Sequence, residues 1–117
     1  MAVTARESAE FDAAFLDAYT GGDPEMRDEI LKIFLDQSRL LLARLEDAMD
    51  EAKAWRDAAH SLKGCARSVG ANTLADIAAR AEGEGPSHPV RLRTLDEMRV
   101  ALLSTHAKVE DLIDREP

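Results

Sequence analysis

The chain has 117 residues, the length of one domain, and its 23 acidic and 15 basic residues give a formal net charge of −8. This charge argues against duplex nucleic acid or an anionic membrane as the main partner. The single cysteine excludes an internal disulfide framework, and no apolar run reaches the length of a signal sequence or a membrane span, so we expect a cytoplasmic protein.

The first half of the chain predicts a short helix followed by a long one. Gly21-Gly22 ends the short helix, and Asp23-Pro24-Glu25 begins the next one, with Asp23 as the cap and Pro24 at the first helical position. The apolar stripe of the short helix is Phe11, Ala14, Phe15 and Ala18. The long helix has about 25 residues, and its stripe is Ile30, Leu31, Phe34, Leu41, Leu45, Ala48 and Ala52.

The second half predicts three more helices. One begins near Lys53 and ends at Gly70, a shorter one opens at Ala71 or Asn72, and residues 83–89 separate it from the last one. Their apolar positions are Trp55, Ala58, Ala59, Leu62, Cys65, Ala66 and Val69; then Leu74, Ile77, Ala78 and Ala81; then Leu92, Leu95, Met98, Leu102, Thr105, Val109 and Leu112. Aromatic residues are only 4% of the chain, which also favours helices over strands. We therefore predict an all-α fold, an antiparallel four-helix bundle with a short extra N-terminal helix, in one stand-alone domain over residues 1–117.

The helix that begins near Lys53 carries His60, Lys63 and Gly64 on one face. His60 points away from the apolar stripe. Glycine in a helix interior costs about 1 kcal/mol relative to alanine, so close approach by another molecule is the simplest compensation for Gly64. Between Lys53 and Arg67 four basic residues face one acid, which indicates an acidic partner.

Neutral imidazole can attack phosphorus, and nearby cations can balance the charge of a phosphoryl group. No metal site is expected, because His88 and His106 lack metal-ligand spacing from His60 and no Glu-x-x-His motif occurs. We expect no cofactor in this chain. Magnesium would belong to a partner.

In these residues the chain resembles the histidine-containing phosphotransfer, or HPt, family. The matching positions are His60, Leu62, Lys63, Gly64, Ala66, Val69, Gly70, Ala71, Leu74 and Glu82, with looser similarity at Phe11-Asp12 and Phe34-Leu35. Three positions depart from the family pattern. Ala81 stands where leucine is usual, Cys65 where serine or alanine is commoner, and Arg67 where relatives often have a small residue.

The resemblance implies a role for each matching residue of the site. His60 corresponds to the phosphorylated histidine, through Nε2 by family analogy. Lys63 corresponds to the lysine that balances phosphoryl charge, and Gly64 to the small residue that admits a receiver domain. Glu82 is a candidate for orienting the ring. We assign further partner contacts to the residues around them, Arg56, Arg67, Ser61 and Ser68.

The predicted function is that of a phosphorelay carrier without ATPase or autokinase activity. It would accept a phosphoryl group from a receiver-domain aspartate or a cognate hybrid sensor histidine kinase, and pass it to a response-regulator aspartate. A non-catalytic adapter that binds receiver domains is the alternative. The acceptor domain of a sensor kinase is disfavoured, because Ser61 rather than an acid follows His60 and no glycine-rich nucleotide motif occurs. A monomer is expected.

Overall fold

The computed structural model describes residues 10–85 and 87–114, and these ranges contain five helices and no strand. Helix α1 spans Ala13–Thr20, α2 spans Pro24–Asp47, α3 spans Ala52–Ser68, α4 spans Asn72–Glu82 and α5 spans His88–Asp114. The all-α prediction is therefore confirmed. Within the described ranges, none of the helices is long and apolar enough to cross a membrane.

The helix ends follow the local signals of the sequence. The Asp23 carboxylate accepts hydrogen bonds from the backbone N–H groups of Glu25 and Met26 at 3.0 and 3.4 Å, and Pro24 occupies the first position of α2. Gly21 ends α1 in the left-handed conformation, with a φ of 65°. The predicted boundary between α1 and α2 is confirmed.

The helices enclose one aliphatic core. Helix α2 packs against α3 and α5, and α4 lies between α3 and α5, so that these four helices form a closed ring, while α1 lies on α2. Short connections over residues 48–51 and 69–71 join α2 to α3 and α3 to α4. The largest side chains that are almost completely buried include Trp55, Phe34, Leu16, Leu31, Leu45, Leu62, Leu74, Leu95 and Met98.

The predicted stripe of α1 is wrong in three of its four residues, whereas Phe11, which precedes the helix, packs against the core. Leu16 and Thr20 face the core, whereas Ala14, Phe15 and Ala18 are exposed. Apolar residues lie all around this short helix, so their spacing did not determine which side packs. The Leu16 side chain is completely buried and orients the helix.

Two further positions differ from the predicted stripes. Ala52 does not belong to α2, which ends at Asp47; it is the exposed first residue of α3. Leu92 is 53% exposed, because α5 buries the neighbouring Arg91 and Thr94 instead. Helix α5 also begins inside the predicted break, at His88, since a proline such as Pro89 is tolerated in a first turn.

Gly70 joins the turn between α3 and α4 to the beginning of α1. Its φ is 78°, and its carbonyl accepts a hydrogen bond of 2.8 Å from the Asp12 backbone N–H. A Cβ atom on Gly70 would lie 2.7 Å from the Asp12 carbonyl oxygen. Both the backbone conformation and the close contact therefore require glycine at this position.

Candidate functional site

Helix α3 presents His60 to solvent because its opposite side is anchored in the core. Trp55, Ala59 and Leu62 are buried at 1% exposure or less, whereas the His60 side chain is 67% exposed. The predicted outward orientation of His60 is thus observed. A rigid helix fixes the origin of the imidazole ring, and the ring itself remains accessible.

Glu82, the last residue of α4, bridges His60 and Lys63. One carboxylate oxygen, Oε2, lies 2.8 Å from His60 Nδ1, and the other, Oε1, accepts a hydrogen bond of 2.6 Å from Lys63 Nζ. The Lys63 and Glu82 side chains are 20% and 25% exposed. The histidine, lysine and acid of the sequence analysis therefore form one connected group across two helices.

This geometry determines which ring nitrogen is free. The hydrogen bond from Lys63, and then that from His60, lower the pKa of Glu82 below its ordinary value, so Glu82 is a carboxylate at neutral pH. A carboxylate only accepts hydrogen bonds, so His60 Nδ1 must carry the proton that is donated to it. In the neutral ring the lone pair then lies on Nε2, the nitrogen that is not bonded to Glu82.

Gly64 leaves open space beside His60. In the part of the chain that the structure describes, no atom beyond the neighbouring turns of its own helix lies within 4 Å of the position that a Cβ atom would occupy. Lys63 and Gly64 lie on opposite sides of His60 around the helix, at about 100° per residue. Lys63 contacts Glu82 of α4, and the exposed Gly64 lies on the other flank of His60.

The four predicted partner residues Arg56, Arg67, Ser61 and Ser68 are all exposed. Ser68 also donates a hydrogen bond of 2.7 Å to the Cys65 carbonyl, and Ser61 lines a cavity of about 410 Å³ with Arg44, Asp57 and other residues of α2 and α3. Two of the four basic residues counted on α3 are paired with acids, Lys53 with Asp57, the one acid counted with them, and Lys63 with Glu82 of α4. Glu82 therefore makes the local positive charge smaller than the sequence predicts.

The sequence does not predict the apolar groove that lies next to this site. It has a volume of about 400 Å³, lies between α1, α2 and α3, and is lined by Phe15, Tyr19, Ile30, Ile33, Phe34, Cys65 and Ser68. Phe15, Tyr19 and Ile33 are 47%, 70% and 61% exposed. Tyr19 and Ile33 lie outside the predicted core stripes. Large apolar residues in such positions are the sequence signal for an exposed apolar surface.

The single cysteine and the two histidines outside this site have local environments that account for them without a role in the site. Burial raises the pKa of the half-buried Cys65 thiol, which disfavours the reactive thiolate. His88 bonds to Asp50 on the surface, and buried His106 bonds to Ser38. Over residues 10–85 and 87–114, no group of three or more histidine, cysteine or acidic side chains has a metal-binding arrangement.

The fold and the site together define a class of protein, helical domains that present an exposed histidine from one helix to a partner. The family model described as the Hpt domain matches residues 29–115, most of the chain. The chain therefore belongs to the Hpt family, whose members are phosphocarriers in two-component phosphorelays, with receiver domains and histidine kinases as partners. Searches of curated proteins and of solved structures return no match for this chain.

Proposed function

We propose that His60 is the phosphoacceptor of this Hpt domain and carries a phosphoryl group from one receiver-domain aspartate, or a cognate hybrid kinase, to another receiver. The observation that carries this proposal is the hydrogen bond between His60 Nδ1 and Glu82. It holds the exposed ring with Nε2 as its free nucleophilic nitrogen. Helix placement and a fixed tautomer are the preorganisation that in-line phosphoryl transfer needs.

In the first step, Nε2 of neutral His60 attacks the phosphorus atom of a receiver's phospho-aspartate. The P–Nε2 bond forms, the P–O bond to the aspartate breaks, and its electron pair stays on the aspartate carboxylate. The ring then carries a positive charge, which the Glu82 carboxylate balances through the Nδ1 proton. The second step is the reverse reaction with the aspartate of another receiver.

Lys63 has two roles in this proposal. In the free protein its ammonium group bonds to Glu82 and is the largest cause of the lowered pKa of that carboxyl group. After transfer its charge lies beside the phosphorylated ring, where it offsets the negative charge of the phosphoryl group. The magnesium ion and the acceptor carboxylate come from the receiver, and this chain has no ATPase or autokinase activity of its own.

The receiver docks over His60 and Gly64 towards α2. Arg56 and Arg67 supply positive charge at one side of this surface, and Ser61 and Ser68 supply polar contacts at the other. The apolar groove lies beyond Gly64 and adds the exposed side chains of Phe15, Tyr19 and Ile33. A mixed apolar and basic surface next to the histidine suits an acidic protein partner. We place this exchange in the cytoplasm, with the carrier acting as a monomer.

The test is transfer of a radiolabelled phosphoryl group from a phosphorylated receiver, or from its kinase, to the wild-type protein and to His60→Gln. We expect an acid-labile, base-stable label on the wild type that is absent from the variant. Equal labelling of both proteins would exclude His60 as the acceptor. Receiver binding without any labelling would favour the adapter, the second candidate function.

A further inference from the structure

Trp55 connects α3 to the end of α4 that carries Glu82. It is the only tryptophan in the chain and is 1% exposed. Its indole Nε1–H donates a hydrogen bond of 2.9 Å to the carbonyl of Ala81, the residue immediately before Glu82. The bond joins the helix that carries His60 to the backbone that carries the partner of His60.

The position of this bond on α4 matters because helix ends are weakly held. The last carbonyls of a helix lack partners within it, and terminal turns fray. At the end of α4, the Ala81 carbonyl accepts from the Glu84 N–H at 3.1 Å as well as from Trp55. Since Glu82 is the last residue of α4, the order of this turn determines where its carboxylate lies relative to His60 and Lys63.

A second helix holds the indole in place. The guanidinium group of Arg91, on α5, lies 5.0 Å from the centre of the Trp55 ring, and Arg91 is itself 2% exposed. Its Nη1 donates to the Met49 carbonyl in the turn between α2 and α3. The cation over the face of the ring restricts the indole plane, and the plane determines the direction of the N–H bond.

We infer that Trp55, oriented by Arg91, is a positioning residue for phosphoryl transfer, and that it acts through the Ala81 carbonyl by fixing the Glu82 carboxylate against Nδ1 of His60. The inference rests on the proposed function. Trp55 touches neither the ring nor the phosphoryl group. Its contribution is to hold the last turn of α4 in place, so that Glu82 selects the His60 tautomer with a free Nε2.

The experiment compares the wild type with Trp55→Phe, which keeps an aromatic ring in the core and removes the N–H. The first readout is the tautomer of His60 from its ring ¹⁵N shifts, and the second is the rate of phosphorylation by phosphoramidate, a small donor that releases ammonia. We expect a smaller share of the Nδ1–H tautomer and phosphorylation slower by roughly fivefold, the factor that corresponds to one hydrogen bond.

A double-mutant comparison separates positioning from general stability. In a Glu82→Ala background, adding Trp55→Phe should slow phosphorylation no further, because the group that Trp55 positions is gone. Ser38→Ala is the matched control: it removes another buried hydrogen bond, at the contact between α2 and α5, and should leave the His60 tautomer unchanged.

An unchanged tautomer in folded Trp55→Phe, or the same slowing in the Glu82→Ala background, would overturn the inference. If Trp55→Phe does not fold, replacing Trp55 by benzothienylalanine substitutes sulfur for the N–H and retains the shape of the indole. If receivers do not phosphorylate His60, the proposed function fails, while the tautomer comparison in the unphosphorylated protein still decides whether Trp55 positions Glu82.

Discussion

Glu82 illustrates how much of this site depends on one side chain. Its two oxygens bind different residues, His60 Nδ1 and Lys63 Nζ, so a single carboxylate orients the proposed nucleophile and holds the nearest cation. The hydrogen bond from Lys63, and then that from His60, lower the pKa of Glu82, and its negatively charged carboxylate requires a proton on His60 Nδ1. The hydrogen-bonding group and the reacting nitrogen thus lie on opposite sides of one ring.

Substitution of Gly64 should change the stability of the protein and the rate of phosphoryl transfer in opposite directions. Gly64→Ala should raise the free energy of unfolding by about 0.5–1 kcal/mol, since alanine is the better helix former and its methyl group meets open space. Gly64→Ala, and more strongly Gly64→Gln, should slow transfer from a phosphorylated receiver by obstructing its approach. Chemical denaturation and transfer kinetics measure the two effects.

Phosphoramidate is the control donor for Gly64, because it is too small to need the docking surface. Its rate of phosphorylating His60 should fall much less than the rate with a receiver. Equal slowing with both donors would show that the substitution disturbs the histidine itself rather than partner access. A loss of stability in Gly64→Ala would contradict the open space around this residue.

The positions of His60, Lys63 and Gly64 could be predicted from the sequence because they belong to one helix, where the helical period fixes which side chains share a face. The hydrogen bonds to Glu82 could not be predicted in this way. They join two helices, so they depend on how α3 and α4 pack. Resemblance to the family suggests an orienting role for Glu82, and only the structure supplies its hydrogen bond to His60 and its ion pair with Lys63.

At the scale of whole elements, the turn between α3 and α4 is also the attachment point of α1. The Asp12 N–H bonds to the Gly70 carbonyl, and Leu16 of α1 enters the core. Attaching α1 here places Phe15 and Tyr19 at the groove that borders α3. The sequence predicted this turn from its glycine. It did not predict the face of α1, because a short helix with apolar residues all around has no unique stripe.

Gly70→Ala should therefore destabilise the protein by about 1–3 kcal/mol, since alanine is strained at positive φ and its Cβ would clash with the Asp12 carbonyl. Thermal and denaturant unfolding measure the change. Gly85→Ala is the matched control, because Gly85 has open space and needs no positive φ, and it should be close to neutral. Similar losses in both variants would contradict the assigned role of Gly70.

Across the whole molecule, the bundle closes where α2 meets α5, and a buried polar pair lies at this contact. Ser38 donates to the Phe34 carbonyl at 2.6 Å, so its oxygen accepts from His106 Nε2 at 2.8 Å. The Phe34 ring also packs edge-on against the imidazole. The bond between His106 and Ser38 joins residues that are far apart in the chain, so it could not be predicted from the sequence.

From the buried pair of Ser38 and His106 we expect the protein to lose stability in mild acid. Burial, and then the charge of Arg39, lower the pKa of His106, while Glu110 opposes the shift. As the pH falls below the ordinary histidine value of about 6.5, the unfolded chain takes up a proton that the folded protein does not. This contribution to stability is therefore complete above that value and declines below it, until the pH passes the lowered pKa of the folded state.

Denaturant unfolding from pH 7.5 to 5 measures the effect. His106→Gln should lose part of the pH dependence that the wild type shows in this range, whereas the exposed His88→Gln, a matched loss of one histidine, should keep it. An identical pH dependence in His106→Gln and the wild type would show that His106 is not the group responsible.

The central claim is that His60 accepts the phosphoryl group on Nε2 because Glu82 holds Nδ1. The most direct measurement is ¹⁵N–³¹P coupling by NMR in the protein phosphorylated by a receiver. We predict that phosphorus couples directly to Nε2 of His60, while Nδ1 still carries its proton. Phosphorus on Nδ1, or on any residue other than His60, would contradict the claim.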